Sequence, residues 1–144
     1  MAVSQSEVLS ALEGLLSEAL LPSGLAAVVE LITVGDDGLP FCCLLSRRQI
    51  VVREGEVLAL VHGRRPNANL AARGLATLSF AVDNTYGSLE GRVSSSRPLS
   101  DGTLWVIEVL GGRLERGAEV LLPMSYWAPE LDEAEGPALF DLLE

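Results

Sequence analysis

The chain has 144 residues, 49% hydrophobic and 21% charged, which suits one globular domain with its own core and excludes a long disordered tract. Its formal charge is −10, from 20 acids against 10 Arg and no Lys, a balance that repels nucleic acid and anionic membrane surfaces, so neither is an expected partner. The charge is unevenly spread: residues 47–97 hold eight Arg against four acids, whereas the flanking thirds together hold two Arg and sixteen acids.

This positive island suggests a local anion site; the alternative is that its Arg residues pair with the flanking acids. No apolar run reaches the roughly 20 residues of a membrane span. Glu30 and the turn at 35–38 interrupt the best candidate. The first basic residue is Arg47, so no secretory leader is expected and the cytoplasm is the expected compartment.

In chain order, Ser4 and Glu7 have the spacing of a capping box. Apolar residues at Val8, Ala11, Leu12, Leu15, Leu16 and Ala19 then predict a one-sided helix within residues 1–22. Pro22-Ser23-Gly24 is its stop. Strands are predicted at 25–34 and 39–45 around the turn at 35–38, and at 49–53 and 56–62 around Glu54-Gly55. A short helix is predicted at 66–73, started by Pro66 and stopped by Gly74. Further strands follow at 75–82, 89–94 and 103–114, with 95–102 as a polar connection. The apolar and aromatic run at 121–131 predicts a packed arm, and 138–143 a last helical turn.

Cys42 and Cys43 are consecutive, and consecutive strand residues face opposite sides, so they converge on no metal and are expected to be unreactive thiols. His62, the single histidine, falls at a strand end. Asp36, Asp37 and Asp83 belong to turns, no carboxylate pair is placed for acid–base work, and no metal site is expected. Trp105 alternates with apolar neighbours and is expected in the core or a dimer interface. No Walker or Rossmann fingerprint is present. About six antiparallel strands with one internal helix predict an α+β fold built on a small six-stranded antiparallel barrel. The chain is expected to be one domain over 1–144, with an N-terminal helix (1–22), a barrel core (24–115) and a C-terminal arm (116–144).

The order ITVGDDGLPFCCLLS, then LALVHGRRPNANLAARGLATLSF, then TYGSLEGRV resembles the FMN-binding split barrel of pyridoxamine 5′-phosphate oxidase-like proteins. The carrying features are the D-G-x-P turn (Asp37, Gly38, Pro40), Asn69-Leu70 in the short helix, the strand 76–80 and Gly91-Arg92-Val93. The resemblance implies a homodimer with FMN in two equivalent interface clefts and oxidoreductase chemistry on an unidentified small molecule. It also implies a phosphate held by cationic side chains near the short helix. The pattern departs at three places: Arg64-Arg65-Pro66 stands where the family has an S-x-K, Cys43 stands near the family's phosphate-binding strand Arg, and Thr85-Tyr86-Gly87 stands where it has an R-Q-V. No catalytic residue is therefore carried over. Arg64, Arg65 and Asn67, directly before and within the short helix, are the candidate cofactor-binding residues, with Arg47 and Arg48 as secondary candidates, because guanidinium groups and a helix N-terminus suit a dianion. The alternative is a split-barrel dimer without FMN, acting as a binding module or using deazaflavin or haem.

Overall fold

Of the capping box predicted at the start of the chain, the Ser4 half forms. In the computed structural model, which describes residues 4–17, 25–82, 85–117 and 125–127, the Ser4 hydroxyl accepts from the Glu7 amide at 3.3 Å and donates to Glu7 Oε1 at 3.1 Å. The helix it opens, α1 (Gln5–Ser17), buries Val8, Leu12 and Leu15. That stripe closes one side of the sheet's core.

The sheet contains β1 (Leu25–Val34), β2 (Pro40–Ser46), β3 (Ile50–Arg53), β4 (Glu56–Val61), β5 (Leu75–Val82), β6 (Thr85–Leu99), β7 (Gly102–Arg116) and β8 (Ser125–Trp127), with α2 (Arg64–Arg73) between β4 and β5. Each pairing is antiparallel, in the order β2-β1-β5-β6-β7-β4-β3, and β8 adds to the start of β1. The period-2 alternation sorts side chains to two faces. Val29, Leu31, Leu45, Val57, Ala59, Leu78, Leu89, Trp105, Ile107 and Val109 form the core with the α1 stripe. The protein is thus mostly β with two helices, a curled antiparallel split barrel, with eight strands among the described residues where six were expected.

The largest departure is β6. The segment 95–102, expected as a connection, is strand as far as Leu99, and only Ser100 and Asp101 turn. Its polar side chains face solvent, while its backbone pairs with the apolar strand β7, Ser96 opposite Trp105 and Arg97 opposite Leu104. Ladder hydrogen bonds need no apolar side chain, so a polar strand survives beside a strongly β-forming partner. A register shift between Val93 and Ser95 accommodates it, and the Ser94 hydroxyl donates to the Val106 carbonyl at 3.2 Å. The second hairpin closes as predicted at Glu54 (φ 53) and Gly55 (φ 80). Helix α2 starts two residues before the predicted Pro66 and stops at Gly74, whose φ of 67 and N–H hydrogen bond to the Leu70 carbonyl end it. The expected helix stop at 22–24, Asp83, the helical turn at 138–143 and most of the arm at 121–131 lie outside the described residues.

β2 and β3, the two ends of the main ladder, are joined by the turn at 47–49 but do not pair with each other among the described residues. Gln49 holds that turn: its amide donates to the Ser46 carbonyl at 2.9 Å, and its side chain accepts from the Ser46 amide at 3.0 Å and donates to the Leu60 carbonyl at 3.2 Å. The barrel is therefore open between β2 and the β3–β4 hairpin.

Candidate functional site

A cleft of about 400 Å³ occupies this opening. β2 supplies Phe41, Cys43, Leu44 and Leu45, the turn supplies Gln49, and the other wall is the continuous stretch from Val61 to Pro66. That stretch leaves β4, turns, and starts α2. Gly63 is the N-cap, in extended backbone (φ −66, ψ 144), and no side chain caps the helix. The first turn contains no acidic residue, so its free N–H groups and dipole present positive potential. A Cβ on Gly63 would lie 3.0 Å from the Pro66 ring, so glycine permits the tight passage of strand into helix.

Arg64 and Arg65 are both exposed on this rim. The Arg65 guanidinium lies 4.9 Å from the centroid of the Phe41 ring and 3.7 Å from the Asp37 carboxylate, which steers it across the cleft toward β2. Asp37 is itself fixed by accepting from the Leu39 amide at 3.0 Å in the β1–β2 turn. Arg47 and Arg48 are not among the residues that line the cleft. Arg47 Nε donates to the Leu16 carbonyl of α1 at 3.4 Å, and the Arg48 amide donates to the Ser46 hydroxyl.

Asn67 is near Arg64 and Arg65, but its amide is occupied by the protein. Nδ2 donates to the Val61 and Gly63 carbonyls at 2.9 Å each, and Oδ1 accepts from Trp105 Nε1 at 2.7 Å. Its observed contacts make it the clamp that shapes the 61–63 turn, with buried Trp105 holding the clamp from β7. The sequence had pointed to each residue but contained no sign of their meeting, since 38 positions separate them.

His62 also lines the cleft, a position that reading it as a strand end did not reveal. Its Nδ1 bonds to the Asp101 carbonyl at the β6–β7 turn. Gly102 permits this docking: its φ is 157, and a Cβ there would lie 2.5 Å from the Val61 carbonyl oxygen. The one usable signal was the position of His62 immediately before the two Arg residues.

Cys42 and Cys43 face opposite sides, Cys42 exposed and Cys43 half-buried in the cleft wall. Burial pushes the Cys42 thiol above its ordinary pKa, reinforced by the Glu30 carboxylate to which its Sγ donates. Burial likewise raises Cys43, with Cys42 a lesser cause. Both are therefore thiols near neutral pH. Among the described residues no three His, Cys, Asp or Glu side chains are grouped to hold a metal, and no helix is long and apolar enough to cross a membrane.

No family profile and no curated protein matches the chain by sequence. Solved structures do match its fold. The flavin reductase of styrene monooxygenase from Pseudomonas putida S12 aligns with a TM-score of 0.59 at 12% identity, over 77% of this chain and 90% of that one. The NADH:FAD oxidoreductase SgcE6 of Streptomyces globisporus C-1027 aligns at 0.54 and 12%, over 78% and 95%. An F420 reductase aligns at 0.50 and 15%, over 61% and 90%. At such identities the likeness is one of fold: this chain has the split-barrel fold on which these flavin reductases are built.

Proposed function

We propose that the chain is a flavin-dependent oxidoreductase of the split-barrel class, holding FMN in the cleft beside α2 and acting as a cytoplasmic homodimer on a small-molecule substrate. The observation that carries this reading is the joining of two chemistries in one opening. Arg64, Arg65 and an uncapped helix N-terminus form a cationic rim, and Phe41, Leu44, Leu45 and Val61 form an apolar wall. FMN has the same division, a dianionic phosphate and an apolar ring system. The donor set fits the phosphate, since guanidinium groups bind it through charge-assisted hydrogen bonds.

Bound flavin would supply the hydride and electron chemistry. The chain's own residues position and shield. Arg64 and Arg65 bind the phosphate, the Asn67–Trp105 pair fixes the turn carrying them, and the β2 side chains keep water from the ring. Exposed Leu75 and Tyr86 occupy the outer side of the sheet, and their covering by a second copy supports the dimer. Light scattering at micromolar concentration should then give about twice the 15.3 kDa chain mass; a monomer refutes the dimer.

The phosphate assignment is tested by titrating the apo-protein with FMN and riboflavin. Charge-assisted hydrogen bonds contribute about 1.5–3 kcal/mol each, so replacing Arg64 and Arg65 with Ala should weaken FMN binding by roughly tens- to a thousandfold. Riboflavin should bind both proteins equally. A second reading, deazaflavin or another large cofactor in place of FMN, is favoured by Cys43, a neutral side chain in the cleft wall where the resemblance places an Arg. It predicts that FMN binds the unaltered chain no better than riboflavin.

A further inference from the structure

We propose that Asp37 is the resident anion of this cleft: its carboxylate holds Arg65 while the cleft is free, yields it to the ligand's phosphate, and takes it back as the ligand leaves. Asp37 thereby sets how long the ligand stays. The inference rests on the phosphate reading above and adds to it a residue that works against tight binding.

A carboxylate has the wrong charge for an anion site, yet the fold fixes one at this rim. The two oxygens of Asp37 have different tasks: Oδ1 accepts from the Leu39 amide at 3.0 Å, and Oδ2 lies 3.7 Å from Arg65 Nη2. A Cβ on Gly35 would lie 3.0 Å from Asp37 Oδ1 and 3.1 Å from Asn69 Oδ1, so glycine lets the carboxylate fold back over its own turn beside α2. Asn69 in turn donates to Thr33 Oγ1 at 3.0 Å. These two side chains are 8% and 1% exposed, and their bond ties α2 to the end of β1. The turn that carries Asp37 and the helix that carries Arg65 are thus held together by a buried contact. Their pairing costs less ordering than the meeting of two unconstrained surface chains.

Arg65 is built to change partners. Its guanidinium is held by its face, 4.9 Å from the centroid of the Phe41 ring. The N–H donors lie along the edge of that plane, so Arg65 can serve one anion after another without leaving Phe41. Arg64, by contrast, makes no ion pair among the described residues. An arriving dianion therefore meets Arg64 and the α2 N–H groups first and Arg65 second. The Asp37 pair is intact in that encounter and opens only in the final complex. The paired side chains are 52% and 53% exposed, so the released carboxylate returns to water, and an exposed pair is weak enough to open. Removing the carboxylate should leave association unchanged and slow dissociation, because nothing remains to reclaim Arg65.

Asp37→Asn keeps an acceptor for the Leu39 amide and removes the charge. Calorimetric titration of the apo-protein gives affinities for FMN, riboflavin and inorganic sulfate, and stopped-flow flavin fluorescence gives the FMN rates. The variant should bind FMN and sulfate about two- to fivefold more tightly, with the FMN gain in koff and kon unchanged, and riboflavin should bind both proteins equally. FMN affinity that is unchanged or weakened in the variant overturns the exchange. So does a gain confined to kon that vanishes in high salt, the signature of plain repulsion by a rim charge. In each of these cases a preference of the unaltered chain for FMN over riboflavin sustains the phosphate site. If FMN binds the unaltered chain no better than riboflavin does, the phosphate reading fails instead. Sulfate then decides the anion exchange alone: tighter binding to Asp37→Asn supports it, and no gain refutes it.

Discussion

Replacing Asn67 with Ala removes three hydrogen bonds, two that tie α2 to the strands β4 and β7 and one to its own N-cap Gly63. Two are donated to the Val61 and Gly63 carbonyls at 2.9 Å, and one is accepted from Trp105 Nε1 at 2.7 Å. The bond to Gly63 is exposed and the bond to Val61 part-buried, and each contributes about 0.5–1.5 kcal/mol net. The indole N–H is different: Trp105 is 6% exposed, and a buried donor left without a partner costs about 1–3 kcal/mol. Together the loss should be about 2–6 kcal/mol, a large fraction of the roughly 5–15 kcal/mol by which a domain is stable. Urea unfolding followed by circular dichroism should show the midpoint falling with an unchanged slope. Trp105→Phe should cost less, and the double variant should cost less than the sum of the singles by about 0.5 kcal/mol or more, since the two share one bond. An Asn67→Ala variant within 0.5 kcal/mol of the unaltered protein, inside the ordinary surface range, would refute this account of the clamp.

Gly87→Ala should destabilise by about 1–3 kcal/mol through overpacking, because its Cβ would lie 2.6 Å from Cε2 of Phe80, the cross-strand partner; a thermal melt checks this, and an unchanged midpoint would mean that the ring moves aside freely. Cys42, though exposed, should be alkylated slowly at pH 7 and faster as pH rises above 9.0, because its folded pKa is raised; rapid labelling at pH 7 would contradict the thiol form. The sign for stability follows: raised folded-state thiol pKa values contribute stability below the unfolded pKa, and it is lost as pH rises through the folded values. Replacing both Cys42 and Cys43 with Ala should leave flavin affinity intact, and a loss of binding in a folded variant would place a thiol in the site.

What the sequence shows plainly is what depends on neighbours in the chain. The Ser4–Glu7 cap, the Glu54-Gly55 turn and the Gly74 stop are read from a few adjacent residues because their energetics are local. β1 and β4 are apolar enough to announce themselves. The polar end of β6 is not, because Ser95, Ser96 and Arg97 are held as strand by β7 rather than by their own propensity. The same division governs the site. Arg64 and Arg65 were legible as a charged pair before a helix, whereas the separation of Arg47 and Arg48 from them depends on how the turn at 47–49 meets α1.

The cleft owes its shape to contacts that no window of sequence contains. Asn67 meets Trp105 across 38 positions, and His62 meets Asp101 across 39. Both converge on the turn at 61–63, where β4 leaves the sheet beside its opening. A closed ladder would bind the backbone on both sides there; at the split, side chains from β7 and from the β6–β7 turn take over that work. The turn carrying the cationic rim is thus held by a few polar contacts, not by a sheet edge. Losing one of them should disturb ligand affinity and stability together, whereas a remote change such as Gly87→Ala should lower stability and leave affinity unchanged. Equal FMN affinity in the Asn67→Ala and unaltered proteins, measured where both are folded, would show that the rim keeps its geometry without the clamp.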